Sequence, residues 1–308
     1  MNTLSTSPGA NTKVSASQFL PLKLTVRICL SIHSKAFDPL GLVLPTRMVG
    51  NLLFRETLQF LKQDASTNED DVEKNNKKEN KNKIKWDQEL NSELTCKWEE
   101  YFRLLHQLKD LKFPRSIKPE NIDSNVKPKL VTFSDGNPNA YGSCAYALWT
   151  LADGTKEARL IMSKAKLSPL LNKGETVRNE LAGATYASRL LVWIKQHTSL
   201  EFGEHIPFLD SQIVQHMIKK ESYGFNTFAG LRVGEIQSKT SYDAWKHIPS
   251  SENIADVLTR GALPSVLGPE SVWQKGPEWL TLDEEKWPVS KLSLIHISEP
   301  TRPPIISY

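Results

Sequence analysis

The chain has 308 residues, 39% of them hydrophobic, so it is long enough to form about two folded domains with buried cores. Its mean hydropathy of −0.40, without a long apolar run, argues against a membrane-spanning segment, and its Ser/Thr/Asn-rich start lacks the pattern of a secretory signal. The net charge of +4 neither establishes nor excludes nucleic-acid binding, which depends on a local basic face.

The three cysteines are widely separated along the chain. Cys29, Cys96 and Cys144 form no pairs with the spacing of a zinc site. They therefore predict reduced core thiols, as expected of a cytosolic or nuclear protein.

The N-terminal part alternates between segments that can and cannot bury a core. Residues 1–18 are predicted to be disordered, whereas residues 19–63 are apolar, punctuated by proline and helical from Thr46 to Leu61. Residues 64–85 consist almost entirely of Asp, Glu, Lys and Asn, which predicts a solvated insert.

A second helix is predicted from Asp87 to about Lys112, because large apolar side chains recur there at helical spacing. Pro114 ends this helix. The polar, proline-bearing segment 116–129 is the predicted linker between a domain at 19–115 and one at 130–262.

Three antiparallel strands are predicted at the start of the second domain, at 130–134, 141–150 and 155–162. A long helix follows from Thr176 to about Gln196, with an apolar stripe on one side.

Two strand–helix units complete the prediction. They comprise strands at 205–209 and 242–248 and helices at 211–219 and 251–259, the last ended by Gly261. This element order predicts an α/β fold with a mixed five-stranded sheet flanked by helices, preceded by a mainly helical segment.

Four acidic residues stand at strand ends or near helix starts in this arrangement: Asp135, Glu180, Asp210 and Asp256. Carboxylates gathered at one place are costly to bury without cations, so their convergence predicts a divalent-metal site. Asp and Glu provide the hard oxygen ligands that Mg²⁺ prefers. A pair of such ions about 4 Å apart can activate water and stabilise the leaving oxygen in phosphodiester hydrolysis.

A purely structural interpretation of each acid is also available. An isolated acid after a strand usually serves a turn or a helix cap, and Asp210 with Ser211 can simply cap a helix. Lys164, Lys166, Lys173 and Arg178 precede or begin the long helix, and they suit either phosphate contacts or an ordinary solvated loop.

The four motifs and their surroundings resemble the ribonuclease H region of Bel/Pao-type LTR retrotransposon Pol polyproteins. Upstream matches are Phe-Asp-Pro-Leu-Gly at 37–41 and Trp-Asp-Gln-Glu-Leu at 86–90. The site motifs are Arg-Asn-Glu-Leu-Ala at 178–182, Asp-Ser-Gln at 210–212 and Asn-Ile-Ala-Asp-Val-Leu-Thr-Arg-Gly at 253–261. The resemblance extends over about residues 20 to 290, with the insert at 64–85 as its main departure.

The resemblance implies a ribonuclease H that cuts RNA paired to DNA during reverse transcription. It makes Asp135, Glu180, Asp210 and Asp256 the ligands of two Mg²⁺ ions, with Mn²⁺ as the alternative metal. His247 becomes an auxiliary in product release or proton transfer, or else a polar strand-end residue. The implied substrate is an RNA–DNA hybrid.

The resemblance also makes the chain a fragment: residues 19–115 resemble a reverse transcriptase thumb or connection, and residues 263–290 resemble a connector towards an integrase. The implied partners are the rest of the Pol polyprotein, with the polymerase palm upstream and the integrase downstream. The implied location is a cytoplasmic virus-like particle, with the nucleus as alternative and no membrane association. Residues 291–308 resemble non-native read-through, with a genuine disordered tail as the alternative, and are excluded from the fold prediction.

Two other functions compete with this interpretation. This region of Pao elements also carries a peptidase A17 name, but an aspartic peptidase needs two Asp-Thr/Ser-Gly loops. Asp135 is followed by Gly136, and Asp210 by Ser211 and Gln212, so neither loop is present. The other alternative is a catalytically inactive or domesticated module that binds nucleic acid without cutting it.

Overall fold

The computed structural model describes residues 23–67, 86–169 and 175–290, with side chains omitted at 63–67. The predictions for the N-terminus, for most of the charged insert and for the C-terminal tail lie outside these residues. The described chain forms two units, which are considered separately. The first comprises residues up to Phe37 together with Val49–Asp110, and the second comprises Asp38–Met48 together with the chain from Leu111 onward.

The first unit is helical. Its elements are α1 (Val26–Ser34), most of α2 (Leu44–Thr67) and α3 (Ser92–Gln107). Asn91 caps α3, because its side chain accepts a hydrogen bond from the Leu94 amide at 2.8 Å. The core is centred on Trp98, whose indole nitrogen donates to Thr57 Oγ1 at 3.0 Å.

The second unit is built on a five-stranded sheet in the order β3-β2-β1-β4-β5. The strands are β1 (Lys129–Gly136), β2 (Ala140–Thr150), β3 (Lys156–Leu167), β4 (His205–Leu209) and β5 (Lys246–His247). The first three pair antiparallel, whereas β4 is parallel to both β1 and β5. The predicted mixed five-stranded sheet is therefore confirmed.

Helices cover both faces of this sheet. Successive β1 side chains point to opposite faces: Leu130 packs in a core with Leu190, Leu191 and Ile194 of α4 (Thr176–His197), and Val131 packs in one with Leu258 of α7 (Asp256–Arg260). A third core joins α4 to α5 (Gln212–Lys219) and α6 (Thr227–Lys239).

Two segments distant in sequence complete the face that carries α7. The C-terminal stretch with α8 (Val272–Lys275) contributes Trp273, Leu280 and Trp287 to its core. The indole of Trp273 donates to the Leu42 carbonyl at 2.7 Å, and Tyr146 Oη donates to the Trp273 carbonyl at 2.8 Å. Residues 263–290, predicted as a connector, thus pack as part of the sheet unit.

Several elements differ from the prediction. Helix α6 was not predicted. The last strand is confined to Lys246–His247, since Tyr242–Ala244 forms a 3₁₀ turn, and Ser250–Glu252 forms another, so that α7 begins only at Asp256. Cys29 and Cys144 are buried as predicted, but Cys96 is exposed. Among the described helices, none is both long and apolar enough to span a bilayer.

Candidate functional site

Asp135 and Asp210 lie at the same edge of the sheet. Asp135 is near the end of β1, and Asp210 directly follows β4. The two strands run parallel with Ser134 opposite Leu209, so the residues that follow this pair are neighbours. Asp135 is only 7% exposed. The Asp135 carboxylate is therefore buried on the middle strand of the sheet.

Glu180 reaches this edge because the N-terminal turns of α4 lie directly against β1. Two glycines allow the close approach. A Cβ atom at Gly136 would lie 2.2 Å from the Glu180 amide nitrogen, and one at Gly183 would lie 2.4 Å from the Asp135 carbonyl oxygen. Any larger residue at either position would separate the helix from the strand.

Asp256 is the first residue of α7, and the turn before it is fastened to β1. The amide group of Asn253, which is 3% exposed, donates to the Ser134 carbonyl at 2.9 Å. Its side-chain oxygen accepts from the Ala255 amide at 3.2 Å. Through these hydrogen bonds, Asn253 holds the start of α7 against Ser134, the residue that precedes Asp135 in β1.

The carboxylates influence one another electrostatically. Burial raises the pKa of Asp135 to about 6, a hydrogen bond from Thr259 opposes the rise, and the charges of Asp210 and Asp256 add to it. Burial likewise raises the pKa of Glu180, with a hydrogen bond from Ser211 opposing and the charge of Asp210 adding. Asp210 thus acts on both Asp135 and Glu180, and the structure brings the four predicted acids into one electrostatic group.

Three of the four carboxylates are hydrogen-bonded to neighbouring side chains. Ser211 Oγ donates to Glu180 at 2.5 Å, Arg260 Nε donates to Asp256 at 2.5 Å, and Thr259 Oγ1 donates to Asp135. Within residues 23–67, 86–169 and 175–290, no three His, Cys, Asp or Glu side chains are arranged as a ready-made metal-binding cluster. The donor chemistry still fits a hard divalent cation, which would offset the burial that mainly raises the pKa of Asp135 and the charges of Asp210 and Asp256 that add to it.

His247 lies in β5, buried, with its Nε2 atom 3.1 Å from the backbone carbonyl oxygen of Asp210. If Nε2 carries the proton, the imidazole donates to this carbonyl. The Ile248 amide also donates to the Leu209 carbonyl at 3.0 Å. The observed contact of His247 is therefore with the backbone that carries Asp210.

The sequence interpretation gave no role to Thr259, Asn253 or the hydrogen bond of Ser211. A signal was present, because each is a hydroxyl or amide residue within three positions of a site acid. Spacing alone does not reveal which distant carboxylate or carbonyl such a side chain contacts.

A groove of about 760 Å³ lies at the N-terminal ends of α4 and α6. Thr176, Arg178, Asn226 and Phe228 are among its lining residues. The Arg178 guanidinium carbon lies 3.9 Å from the centre of the Phe228 ring, and its Nη1 atom lies 2.8 Å from a carboxylate oxygen of Glu175. Its buried Nε has no hydrogen-bond partner among the described residues. Lys164 and Lys166 lie on β3, and Lys173 lies outside the described residues.

Solved structures similar to this chain are ribonucleases H. One is the N-terminal RNase H domain of Rv2228c from Mycobacterium tuberculosis, with 15% identity and a TM-score of 0.29 over 43% of this chain and 94% of that chain. RNase H1 from Halobacterium salinarum has 12% identity and a TM-score of 0.23 over 41% of this chain and 87% of that chain. LC11-RNase H1, isolated from compost, has 14% identity and a TM-score of 0.26 over 46% of this chain and 99% of that chain. Because these TM-scores are low, the fold assignment rests on the strand order and helix placement described above. No curated protein matches the sequence.

One family model matches residues 25–211, well over half of the chain. The match includes Asp135, Glu180 and Asp210, whereas His247 and Asp256 lie beyond it. The chain belongs to the Pao retrotransposon-like RNaseH-like domain family.

Proposed function

We propose that the second unit is a metal-dependent nuclease that hydrolyses the RNA strand of an RNA–DNA hybrid during reverse transcription of a Bel/Pao-type element. The observation that carries this proposal is the placement of Asp135 and Asp210 at the ends of neighbouring parallel strands, with α4, which carries Glu180, and the start of α7, which carries Asp256, both held against β1. Burial, with the charges of Asp210 and Asp256 adding to it, raises the pKa of Asp135. Repulsion between buried carboxylates destabilises a fold and suits a function that uses cations.

The four carboxylates would hold two Mg²⁺ ions, or Mn²⁺ in their place. When bound, such ions generate a nucleophile from water at neutral pH and stabilise the leaving oxygen. Asp135 lies on the central strand, so its backbone position is fixed by strands on both sides. Glu180 and Asp256 come from helices on opposite faces of the sheet, so each face contributes a ligand.

The groove at the start of α4 and α6 is suited to the backbone of the hybrid. Amide groups at the N-terminal ends of two helices favour an anion, and Arg178, which is ion-paired with Glu175 at 2.8 Å, adds a cation to the lining. Arg178 and Glu180 are two positions apart in α4 and therefore point to different sides of the helix, so the groove and the carboxylates would contact different parts of the substrate. In this proposal, the substrate contacts both the groove and the acidic site.

The function is tested by incubating the full chain with a labelled RNA–DNA hybrid in Mg²⁺, with RNA and DNA duplexes as comparison substrates. We expect cleavage of the RNA strand of the hybrid alone. Asp135→Asn should reduce the rate by about a hundredfold or more, since metal-ion catalysis contributes several kcal/mol to the barrier. The matched control is Asp153→Asn in the exposed β2–β3 turn, which should cleave at the wild-type rate.

Equal rates for wild type and Asp135→Asn would remove the catalytic assignment. Tight hybrid binding without cleavage by the wild-type chain would instead support the alternative of an inactive module. Circular dichroism of each variant establishes that a lost rate is not a lost fold.

A further inference from the structure

Thr259 connects two of the site acids that lie far apart in sequence. It is in α7, three residues after Asp256, and is 1% exposed. Its Oγ1 donates to Oδ2 of Asp135, which is 124 positions away. Helix α7 therefore supplies both one carboxylate of the site and a donor to another.

The hydroxyl group has a second acceptor within reach. Oγ1 of Thr259 lies 3.2 Å from the Asp256 carbonyl oxygen, the contact that a threonine in a helix commonly makes with the preceding turn. A hydroxyl has one proton to donate. The contact to Asp135 is the shorter of the two, and an ionised acceptor forms the stronger bond, so the proton goes to the carboxylate.

The backbone fixes the position of this donor. A β-branched side chain in a helix has few accessible χ1 rotamers, so the position of Oγ1 follows that of α7. The turn before α7 is held to β1 by the hydrogen bond from Asn253 to the Ser134 carbonyl. Strand, turn and helix thus place the Thr259 hydroxyl against Asp135.

Asp135 needs such a donor because its neighbours repel it. Asp210 and Asp256 both act on it, and it is almost completely buried. The donors to this carboxylate are the Thr259 hydroxyl and the backbone of Gly136, and Thr259 is the side chain among them. A valine at 259 would keep the shape of the side chain and lose this bond.

We propose that Thr259 is a positioning residue that orients the Asp135 carboxylate for metal binding. The role rests on the proposed metal-dependent function and adds a residue to it. Thr259 acts through Asp135 and does not itself contact the substrate or the ion.

The test compares Thr259→Val, Thr259→Ser and Thr185→Val in the full chain. Thr185 is the matched control, since it is 3% exposed and its hydroxyl donates to the Leu181 carbonyl within α4 at 2.8 Å. Two quantities are measured: Mn²⁺ affinity by titration calorimetry without nucleic acid, and kcat for hybrid cleavage at saturating Mg²⁺. Thermal unfolding is followed for every variant.

We expect Thr259→Val to lose about tenfold or more in both Mn²⁺ affinity and kcat, as found when a hydrogen-bond partner of a metal ligand is removed. Thr259→Ser should keep both close to the wild-type values because it retains the donor. Thr185→Val should keep both even if its unfolding temperature falls.

Unchanged Mn²⁺ affinity in Thr259→Val would overturn the positioning role, as would a serine variant as impaired as the valine variant. If Thr259→Val does not fold, the serine variant decides, since retained affinity supports the donor role and lost affinity contradicts it. A wild-type chain that binds Mn²⁺ but cuts no hybrid contradicts the proposed function, and the calorimetric comparison still tests Thr259. A wild-type chain that binds no Mn²⁺ overturns both proposals.

Discussion

Asp135 illustrates at the scale of one residue how a functional group works against stability. Its folded-state pKa is raised from 3.8 to about 6, mainly by burial. The folded protein therefore binds this proton more tightly than the unfolded chain does. The resulting stabilisation is fully present below about pH 4 and is lost as the pH rises through about 6.

We predict that Asp135→Asn stabilises the metal-free protein at neutral pH. The charged carboxylate destabilises the fold there by at most on the order of 3 kcal/mol, given 1.36 kcal/mol for each unit of pKa. Urea unfolding in EDTA should show the variant more stable than wild type at pH 7.5, with a smaller difference at pH 4. A variant that is less stable at pH 7.5 would contradict this account of the buried charge.

At the scale of elements, the contact of α4 with β1 depends on a glycine inside a helix. Glycine is usually about 1 kcal/mol less favourable than alanine in a helix interior. Gly183 is retained at the point where a Cβ atom would lie 2.4 Å from the Asp135 carbonyl oxygen. Since that atom belongs to the backbone, only movement of the helix or the strand relieves the clash.

We predict opposite signs for two glycine-to-alanine substitutions. Gly183→Ala should destabilise the protein and reduce hybrid cleavage, because α4 and Glu180 move away from β1. Gly234→Ala in α6 should be neutral or stabilise by about 0.5–1 kcal/mol, since the nearest atom to its Cβ is Ser222 Oγ at an ordinary 3.5 Å. Chemical denaturation of both variants measures the difference, and a stabilising Gly183→Ala would show that the approach of helix to strand is looser than described.

The elements with a clear hydrophobic period were predictable from sequence. The predictions of the first four strands and of α4 are confirmed by the structure. These elements were predictable because alternating apolar residues or a helical apolar stripe mark them in the sequence. Helix α6 was missed although Ala229, Val233 and Ile236 lie on one helical face, since Gly230, Gly234 and several β-branched residues lower its intrinsic propensity. Packing against α4 in the shared core, rather than propensity, forms this helix.

Within the candidate site, the acids were predictable and their hydrogen-bond donors were not. Asp135 and Asp210 lie at strand ends, and Glu180 and Asp256 lie near the starts of helices, positions that local patterns reveal. The donors Thr259 and Asn253 are defined by contacts with β1 across more than a hundred positions. Only the tertiary arrangement determines such pairs.

At the scale of the whole molecule, the net charge does not indicate where positive charge is locally available to bind a phosphate. The net charge of +4 neither establishes nor excludes affinity for nucleic acid. The proposed phosphate contact at Arg178 depends instead on the local groove, where the guanidinium lies over the Phe228 ring.

We predict that Arg178→Ala weakens hybrid binding and flattens its salt dependence by about one in the slope of log K against log salt. The measurement is fluorescence anisotropy over a range of KCl, in an Asp135→Asn background that leaves the hybrid intact. Lys275→Ala removes an exposed cation paired with Glu270 and should leave the slope unchanged. An unaltered slope in Arg178→Ala would exclude this residue from the phosphate contact.

The tryptophan-rich stretch around Trp273 also determines when the sheet unit can finish folding. As the chain leaves the ribosome, β1 to β4 emerge well before the residues that cover the α7 face. The Leu42 carbonyl accepts its hydrogen bond from Trp273, which is synthesised more than two hundred positions later. Until residue 287 has been synthesised, the apolar side of Val131 and Phe133 is open to chaperones or to aggregation. A chain cut before Trp273 would therefore lose part of the core of the sheet unit.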